Sequence, residues 1–422
     1  MVEKYQNALI ISFNEDVSEI AQLADSLDYH VVKKFIQHRK IPDVNFYIGS
    51  GKVEEIKEYI DNSKESIDLI IIDGELKPSQ WFALEKKLNA NVYDRIRLIL
   101  AIFEERAERK EARLQVKLAQ LQYERPYVRE LIHRARAGEH PGLMAGGEYQ
   151  VDDYYEMIKK QMKKIKGELN KIRNDREVHR QTRYKSGFYL VSLAGYTNAG
   201  KSSLLNLLSG EKVKVEGRLF STLSTTTRKI KNKKPPVLLT DTVGFIENLP
   251  SWIIDAFHST LEEIEVADVV VLVADGSEEK KIVEKKLQVS INELYELNVT
   301  ASVVIALNKI DLVKQEEADN LISYLNQKAL LNNRLCVPIS VKEEKNIDIL
   351  IENIYKSLPH LTKIRLTLPL NKKSQAFVSH LYQIAQIVNI TYGKNIIVEV
   401  ACNMKIEDEI IAQCQELKGS VS

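Results

Sequence analysis

Gly195-Tyr196-Thr197-Asn198-Ala199-Gly200-Lys201-Ser202 places two glycines, a lysine and a hydroxyl in the spacing that wraps a phosphate chain. The glycines let backbone N–H groups turn inward, and the helix-like SLLNLL beginning at Ser203 adds its positive end to anion binding. Lys201 reaches the β and γ phosphates in such a loop, and Ser202 offers its hydroxyl to Mg²⁺. About forty residues on, Asp241-Thr242-Val243-Gly244 ends a strand-like run. Asp241 is placed to hold the magnesium through its water shell, and Gly244 leaves room for its N–H to meet the γ-phosphate. Lys201 and Gly244 are therefore the expected catalytic pair. Between the two motifs, Phe220-Ser221-Thr222-Leu223-Ser224-Thr225-Thr226-Thr227-Arg228 carries a run of hydroxyls. A switch threonine there would join the magnesium when the γ-phosphate is present; a merely polar surface loop reads the same way.

Asn308-Lys309-Ile310-Asp311 selects the base. A carboxylate at Asp311 accepts from guanine N1–H and its exocyclic amine, whereas adenine offers neither donor and leaves the acid unpaired. The Lys309 stem can lie along the base plane, and Asn308 can tie this loop to the phosphate loop. CVPIS then delivers Ser340-Val341 to a second base-side loop. A competing phosphate loop, Gly49-Ser50-Gly51-Lys52, lacks the four-residue spacer and the hydroxyl after lysine, and reads equally as a helix start.

These motifs need a sheet to hold them. FYLVSLAG, PPVLLTD, DVVVLVAD, ASVVIALN and CVPIS are buried-strand runs separated by helical stretches, the pattern of a doubly wound α/β sheet over 187–360. Upstream, residues 1–97 alternate NALIISF, VVKKFI and IDLIIID with helical segments at 16–27 and 52–60, a small α/β domain. Residues 98–186 read as a long helical hairpin: Phe103–Tyr123 and Asp152–Lys185, joined by a Gly- and Arg-rich connection over 125–150. After 361, IRLTLPL, SQAFVSHLYQIAQIV, NIIVEVAC and KIEDEIIAQCQELK predict strand, helix, strand, helix, a small α+β domain.

Composition narrows the class without choosing a partner. With 422 residues, 44% apolar, 28% charged and a net charge of +1, the chain fits a multidomain globular protein whose basic surface must be local. Cys336, Cys402 and Cys414 share no metal or disulfide spacing, which suits a reducing cytoplasm. No apolar run reaches the roughly 18 residues of a membrane span.

The G-domain motifs GYTNAGKS, FSTLS, DTVGFIENLP and NKID resemble those of the HflX GTPases. Upstream, IGSGKVEEI, DGELKPSQ, YDRIRLILAIFEERA and LQVKLAQLQYERP are similar to that family's N-terminal pattern, so the likeness covers most of 40–360. The resemblance implies a cytosolic GTPase that binds the large ribosomal subunit and helps dissociate or rescue ribosomes; no membrane insertion and no obligate protein partner are expected of the chain. It favours Thr222 as the switch magnesium ligand, with Thr226 second. Two departures stand out. The family's Asp-Arg-Arg after the helical turn is absent from the stretch Gly146 to Tyr155, and Ser340-Val341 replaces the usual Ser-Ala.

From Met157 to Lys185, eleven Lys or Arg residues face only Glu168, Asp175 and Glu177, a surplus of eight positive charges. Arg125, Arg129, Arg134 and Arg136, with Tyr127, His133 and Tyr149 for stacking, add to a candidate ribosomal RNA surface. The alternatives are a solvated coiled-coil platform on a guanine-nucleotide switch that acts through protein partners, and an RNA remodeller with a vestigial nucleotide site.

Overall fold

The computed structural model describes residues 6–136, 147–185, 188–210, 226–231, 233, 235–246, 250, 252–253, 258–328, 330–331, 334–359, 361–402 and 404–422. They form two compact units, one built mainly on residues 1–170 and the other mainly on 171–422.

In the first unit, β1 (Gln6–Ser12), β2 (Tyr29–Ile36), β3 (Leu69–Ile72) and β4 (Val92–Asp94) pair in parallel in the order β2-β1-β3-β4. The connecting helices are α1 (Ser18–Asp25), α2 (Ser50–Asn62) and α3 (Pro78–Leu88). Leu9, Ile11, Phe35, Ile70, Ile72 and Leu84 are part of one buried cluster. Sequence periodicity missed α3 and β4. The helix is signalled locally instead, by Pro78 at its first turn and by Gln80, whose Oε1 accepts from Lys77 N at 2.9 Å. β4 is three residues long and too short to show a period.

The helix expected over Phe103–Tyr123 is two helices. α4 (Arg95–Arg106) buries Ile96, Leu98, Ile99, Ile102 and Phe103, so it belongs to a core and is not an exposed arm. α5 (Lys110–Arg136) then runs through Pro126, inside the stretch expected to be a connection. Proline inside a helix costs about 3 kcal/mol. Val128 and Ile132, buried beyond it against Ile158, Met162 and Ile165 of α6 (Gly147–Lys185), offset that cost. The expected connection over 125–150 therefore shrinks to 137–146, which lies outside the described residues.

The second unit holds a six-stranded sheet: β5 (Tyr189–Gly195), β6 (Thr226–Lys229), β7 (Val237–Asp241), β8 (Val269–Asp275), β9 (Ser302–Asn308) and β10 (Leu335–Pro338). Its order is β10-β9-β8-β5-β7-β6, all parallel except the edge pair β6–β7. The five parallel strands are the apolar runs of the sequence. β6 is the polar TTRK and carries no such signal. The doubly wound class holds, with α7 (Lys201–Ser209) following β5 directly.

The C-terminal residues form β11 (Thr362–Pro369), β12 (Gln386–Tyr392), β13 (Asn395–Cys402) and β14 (Ser420–Val421), ordered β12-β13-β11-β14 and antiparallel. Helices Lys372–Ile384 and Met404–Glu416 complete a ferredoxin-like βαββαβ unit. The helix expected through Val388 stops at Ile384. Ala385 turns extended at φ −143°, and the β-branched IVNIT that follows becomes an edge strand.

Candidate functional site

The strand β5 ends where side chains no longer fit. Gly195 sits at φ +131°, and a Cβ there would lie 2.1 Å from the Val273 carbonyl oxygen. Gly200, at φ +99°, would bring a Cβ to 2.2 Å from Asn308 Nδ2. Glycine is required at both, by conformation and by close approach. The turn between them delivers Lys201 to the first position of α7 with 7% of its surface exposed. Its Nζ donates to the carbonyls of Gly195 at 3.0 Å and Tyr196 at 2.9 Å, curling over the loop it would share with a phosphate. Burial pushes the Lys201 ammonium down to about 8, against the attraction of Asp241.

Asp241 ends β7 buried, and its Oδ2 accepts from Ser202 Oγ at 2.6 Å. Thr242 Oγ1 donates to the Leu193 carbonyl at 2.7 Å, fixing the strand end beside β5. Phe245 is stitched to the phosphate loop: its N–H donates to Gly195 O at 3.0 Å, and its carbonyl accepts from Thr197 N at 3.0 Å. Gly244, just before it, leaves no room for a side chain, since a Cβ would meet the Thr197 Cα at 2.9 Å.

Asn308 joins two loops, donating from Nδ2 to Ala199 O at 2.9 Å and accepting at Oδ1 from Val341 N at 3.1 Å. Lys309 adopts the left-handed region at φ 66°, and its Nζ lies 2.6 Å from Asp275 Oδ2. Asp311 Oδ1 accepts from Ser340 Oγ at 2.6 Å, so the acid that would read a base is already oriented by the second base loop. Ile310 is buried beneath and donates its N–H to Ile339 O at 3.2 Å.

The structure thus gathers Gly195–Ser203, Asp241–Gly244, Asn308–Asp311 and Ser340–Val341 at the carboxyl ends of parallel strands, where a doubly wound sheet binds ligands. The chemistry this arrangement suits is anion binding beside a loop that ends in an oriented carboxylate. Phe220, Ser221, Thr222, Leu223 and Ser224 lie outside the described residues. Thr226, the alternative switch threonine, opens β6 in register with Asp241. Sequence reading missed Asp275, whose sole signal is an Asp-Gly-Ser turn at a strand end, and the Tyr196–Phe245 bridge, which has none. The rival Gly49–Lys52 segment starts α2; Lys52 Nζ turns to Glu55 at 2.6 Å, one turn along its own helix.

On the helical arm, Lys160, Lys163, Lys164 and Lys166 are exposed, while Ile158, Met162 and Ile165 face its core. Tyr127, expected to stack on bases, does structural work instead. Its hydroxyl lies 3.1 Å from Leu76 O and 2.8 Å from Tyr123 Oη, and its ring packs edge-on against Trp81. The side chains of Arg134, Arg136, His133 and Tyr149 are outside the described residues.

Comparison with known proteins gives a consistent picture. Family models match three consecutive stretches: a GTP-binding GTPase N-terminal region over 14–104, its middle region over 106–183, and a 50S ribosome-binding GTPase over 190–309. The GTPase HflX of Thermococcus kodakarensis is 40% identical over 383 residues, covering 89% of this chain and 86% of its own length. That of Methanocaldococcus jannaschii is 40% identical over 374 residues, covering 89% of each. The crystal structure of SsGBP in complex with GDP is 29% identical with a TM-score of 0.50, covering 83% of this chain and 98% of that one.

Proposed function

The chain belongs to the HflX family of GTPases, which bind and hydrolyse GTP, and we propose that it acts with magnesium on the large ribosomal subunit. There it contacts ribosomal RNA and dissociates or rescues ribosomes, as a cytoplasmic protein. The observation that carries the nucleotide half is Asp311 held by Ser340 at 2.6 Å, on a loop that Asn308 fastens to the phosphate loop. Guanine presents two donors to that carboxylate, and a site built around a donor rejects a base lacking it strongly.

The residues present fit a magnesium ion. Ser202 Oγ and Asp241 Oδ2 already meet at 2.6 Å beside Lys201, a hydroxyl and a carboxylate of the type a hard cation takes. Ser202 would hold it directly, with Thr222 completing the set and Asp241 bonded to its water shell. Magnesium, when bound, neutralises charge that develops on the β and γ phosphates. Lys201 would hold the same phosphates, and the Gly244 N–H would meet the γ-phosphate. Phe245 stands where many GTPases carry a water-orienting glutamine, and a phenyl ring neither donates to nor accepts from water. Turnover by the protein alone is therefore slow, with the missing catalytic group supplied elsewhere in the chain or by a partner.

The ribosomal half rests on the 50S ribosome-binding description matched over 190–309 and on the exposed lysines of α6. Arg173 Nε of α6 reaches Glu262 Oε1 at 2.8 Å, on the helix His258–Glu265 that follows the Asp241–Gly244 loop. Among the described residues, no helix is long and apolar enough to cross a membrane. The test is GTP turnover by the full chain with and without purified large subunits. At least tenfold stimulation supports the proposal; no stimulation by large subunits, with stimulation by a protein fraction freed of ribosomes, favours a switch acting through proteins.

A further inference from the structure

Asp275 ends β8, and its register partner across the sheet is Asn308, the first residue of the base loop. Its carboxylate is divided between two tasks. Oδ1 accepts from Ser277 N at 3.0 Å and Ser277 Oγ at 2.6 Å, closing a turn that fixes the side chain. Oδ2 is thereby left facing Lys309 Nζ at 2.6 Å, with 13% of the Asp275 side chain and 28% of the Lys309 side chain exposed. The same turn grips the base loop by its backbone, because Gly276 N donates to Asn308 O at 2.7 Å. Lys309 is itself in the left-handed region at φ 66°, a conformation that costs a non-glycine residue and persists where its surroundings impose it.

We infer that Asp275 is a positioning residue of the base site, holding Lys309 so that its methylene stem is set for guanine before nucleotide arrives. The inference rests on the assignment of Asn308–Asp311 to guanine. Lysine has among the largest side-chain entropies, and a stem that must lie flat along a base loses most of it on binding. Tethering the ammonium to a carboxylate that is itself anchored moves that loss into folding. Ser277 matters because an untethered aspartate would follow the lysine rather than hold it.

Simple electrostatics predicts the opposite sign for a substitution here. A carboxylate near a diphosphate repels it, so removing the charge alone would tighten binding. Asp275→Asn is nearly isosteric and separates the two effects. GDP dissociation and affinity are measured for the full chain, for Asp275→Asn, for Ser277→Ala, and for each in a Lys309→Ala background, with nucleotide-free melting as a check on folding. The expected result is GDP affinity weakened about five- to tenfold in Asp275→Asn, through faster dissociation. A smaller loss of the same sign is expected in Ser277→Ala, and Asp275→Glu should recover part of the affinity. Neither substitution should have a further effect once Lys309 is alanine. Unchanged or tighter GDP binding by Asp275→Asn, or an equal loss in the Lys309→Ala background, overturns the inference. If Asp275→Asn does not fold, the Ser277→Ala pair of measurements decides it alone. Failure of the guanine assignment looks different: the unsubstituted chain would then bind GDP and ADP alike.

Discussion

Asn308 and Ala199 are joined by a buried hydrogen bond of 2.9 Å across 109 residues of sequence, which ties the base loop to the phosphate loop. The amide's other end accepts from Val341 N at 3.1 Å, so a single side chain registers three loops. Asn308→Ala leaves the buried Ala199 carbonyl and the part-buried Val341 N–H without that partner. The expected loss is about 1–3 kcal/mol of apo stability, read by denaturant unfolding, with weaker GDP binding in parallel.

Asp311→Asn exchanges an acceptor for an amide that also donates. GTP affinity should fall on the order of a hundredfold or more, while xanthine nucleotide, which presents a carbonyl in place of the exocyclic amine, should gain. Binding titrations with both nucleotides check this. Equal affinity of the unsubstituted G-domain site for ATP and GTP would contradict the assignment.

Lys201 gives the nucleotide site a pH dependence of predictable sign. Its folded value of about 8 lies below the ordinary lysine value, so the empty site loses its proton as pH rises through 8. Phosphate oxygens favour the ammonium, hence binding takes up a proton in that window. GDP affinity should be flat below pH 8 and fall above it by up to about tenfold per unit. For the apo fold the sign is reversed. The unfolded lysine still holds its proton between about 8 and the ordinary value, so stability rises over the same range. Calorimetry in buffers of different ionisation enthalpy reads the proton uptake directly.

Phe245 is buried, and its backbone bonds to the phosphate loop hold the position there, so a side chain placed at this residue starts in a buried site whatever its type. Phe245→Gln should leave ribosome-free turnover within about threefold of an already slow rate, on the order of 10⁻⁴ to 10⁻² per second. Lys201→Ala should abolish hydrolysis. Single-turnover assays of the full chain check both; fast unstimulated turnover by the unsubstituted protein would show that a neighbour already orients the water.

How much of this could be read from the sequence depended on how local the signal was. The phosphate loop, the Asp241 turn and the Asn308–Asp311 loop are short motifs at the ends of apolar strands, and the structure brings them together as their spacing implied. β6 and β12 were invisible because neither shows an unbroken apolar run, and each is defined by the strand it pairs with. Pro126 misled because its local penalty is outweighed by packing of Val128 and Ile132 that appears only in three dimensions. Asp275 was missed for a related reason: an acid at a strand end is common, and its meaning comes from Lys309, 34 residues later in the chain.

The arm should contact RNA through the exposed lysines rather than through Tyr127. Lys159 is engaged with Glu156 at 2.7 Å, which makes Lys160, Lys163, Lys164 and Lys166 the better set to neutralise. Their replacement by glutamine should weaken large-subunit binding and lower the salt slope by roughly three, while ribosome-free GTP binding stays unchanged. An unaltered slope would remove this face from the interface.

Cosedimentation of the full chain with large ribosomal subunits, in the presence of GDP or a non-hydrolysable GTP analogue, tests the proposed function most directly. The expected result is retention with the analogue, at least tenfold weaker retention with GDP, and steep loss of both between low and physiological salt. Equal retention whichever nucleotide is present, or none even with the analogue at low salt, would contradict a nucleotide-gated ribosomal role.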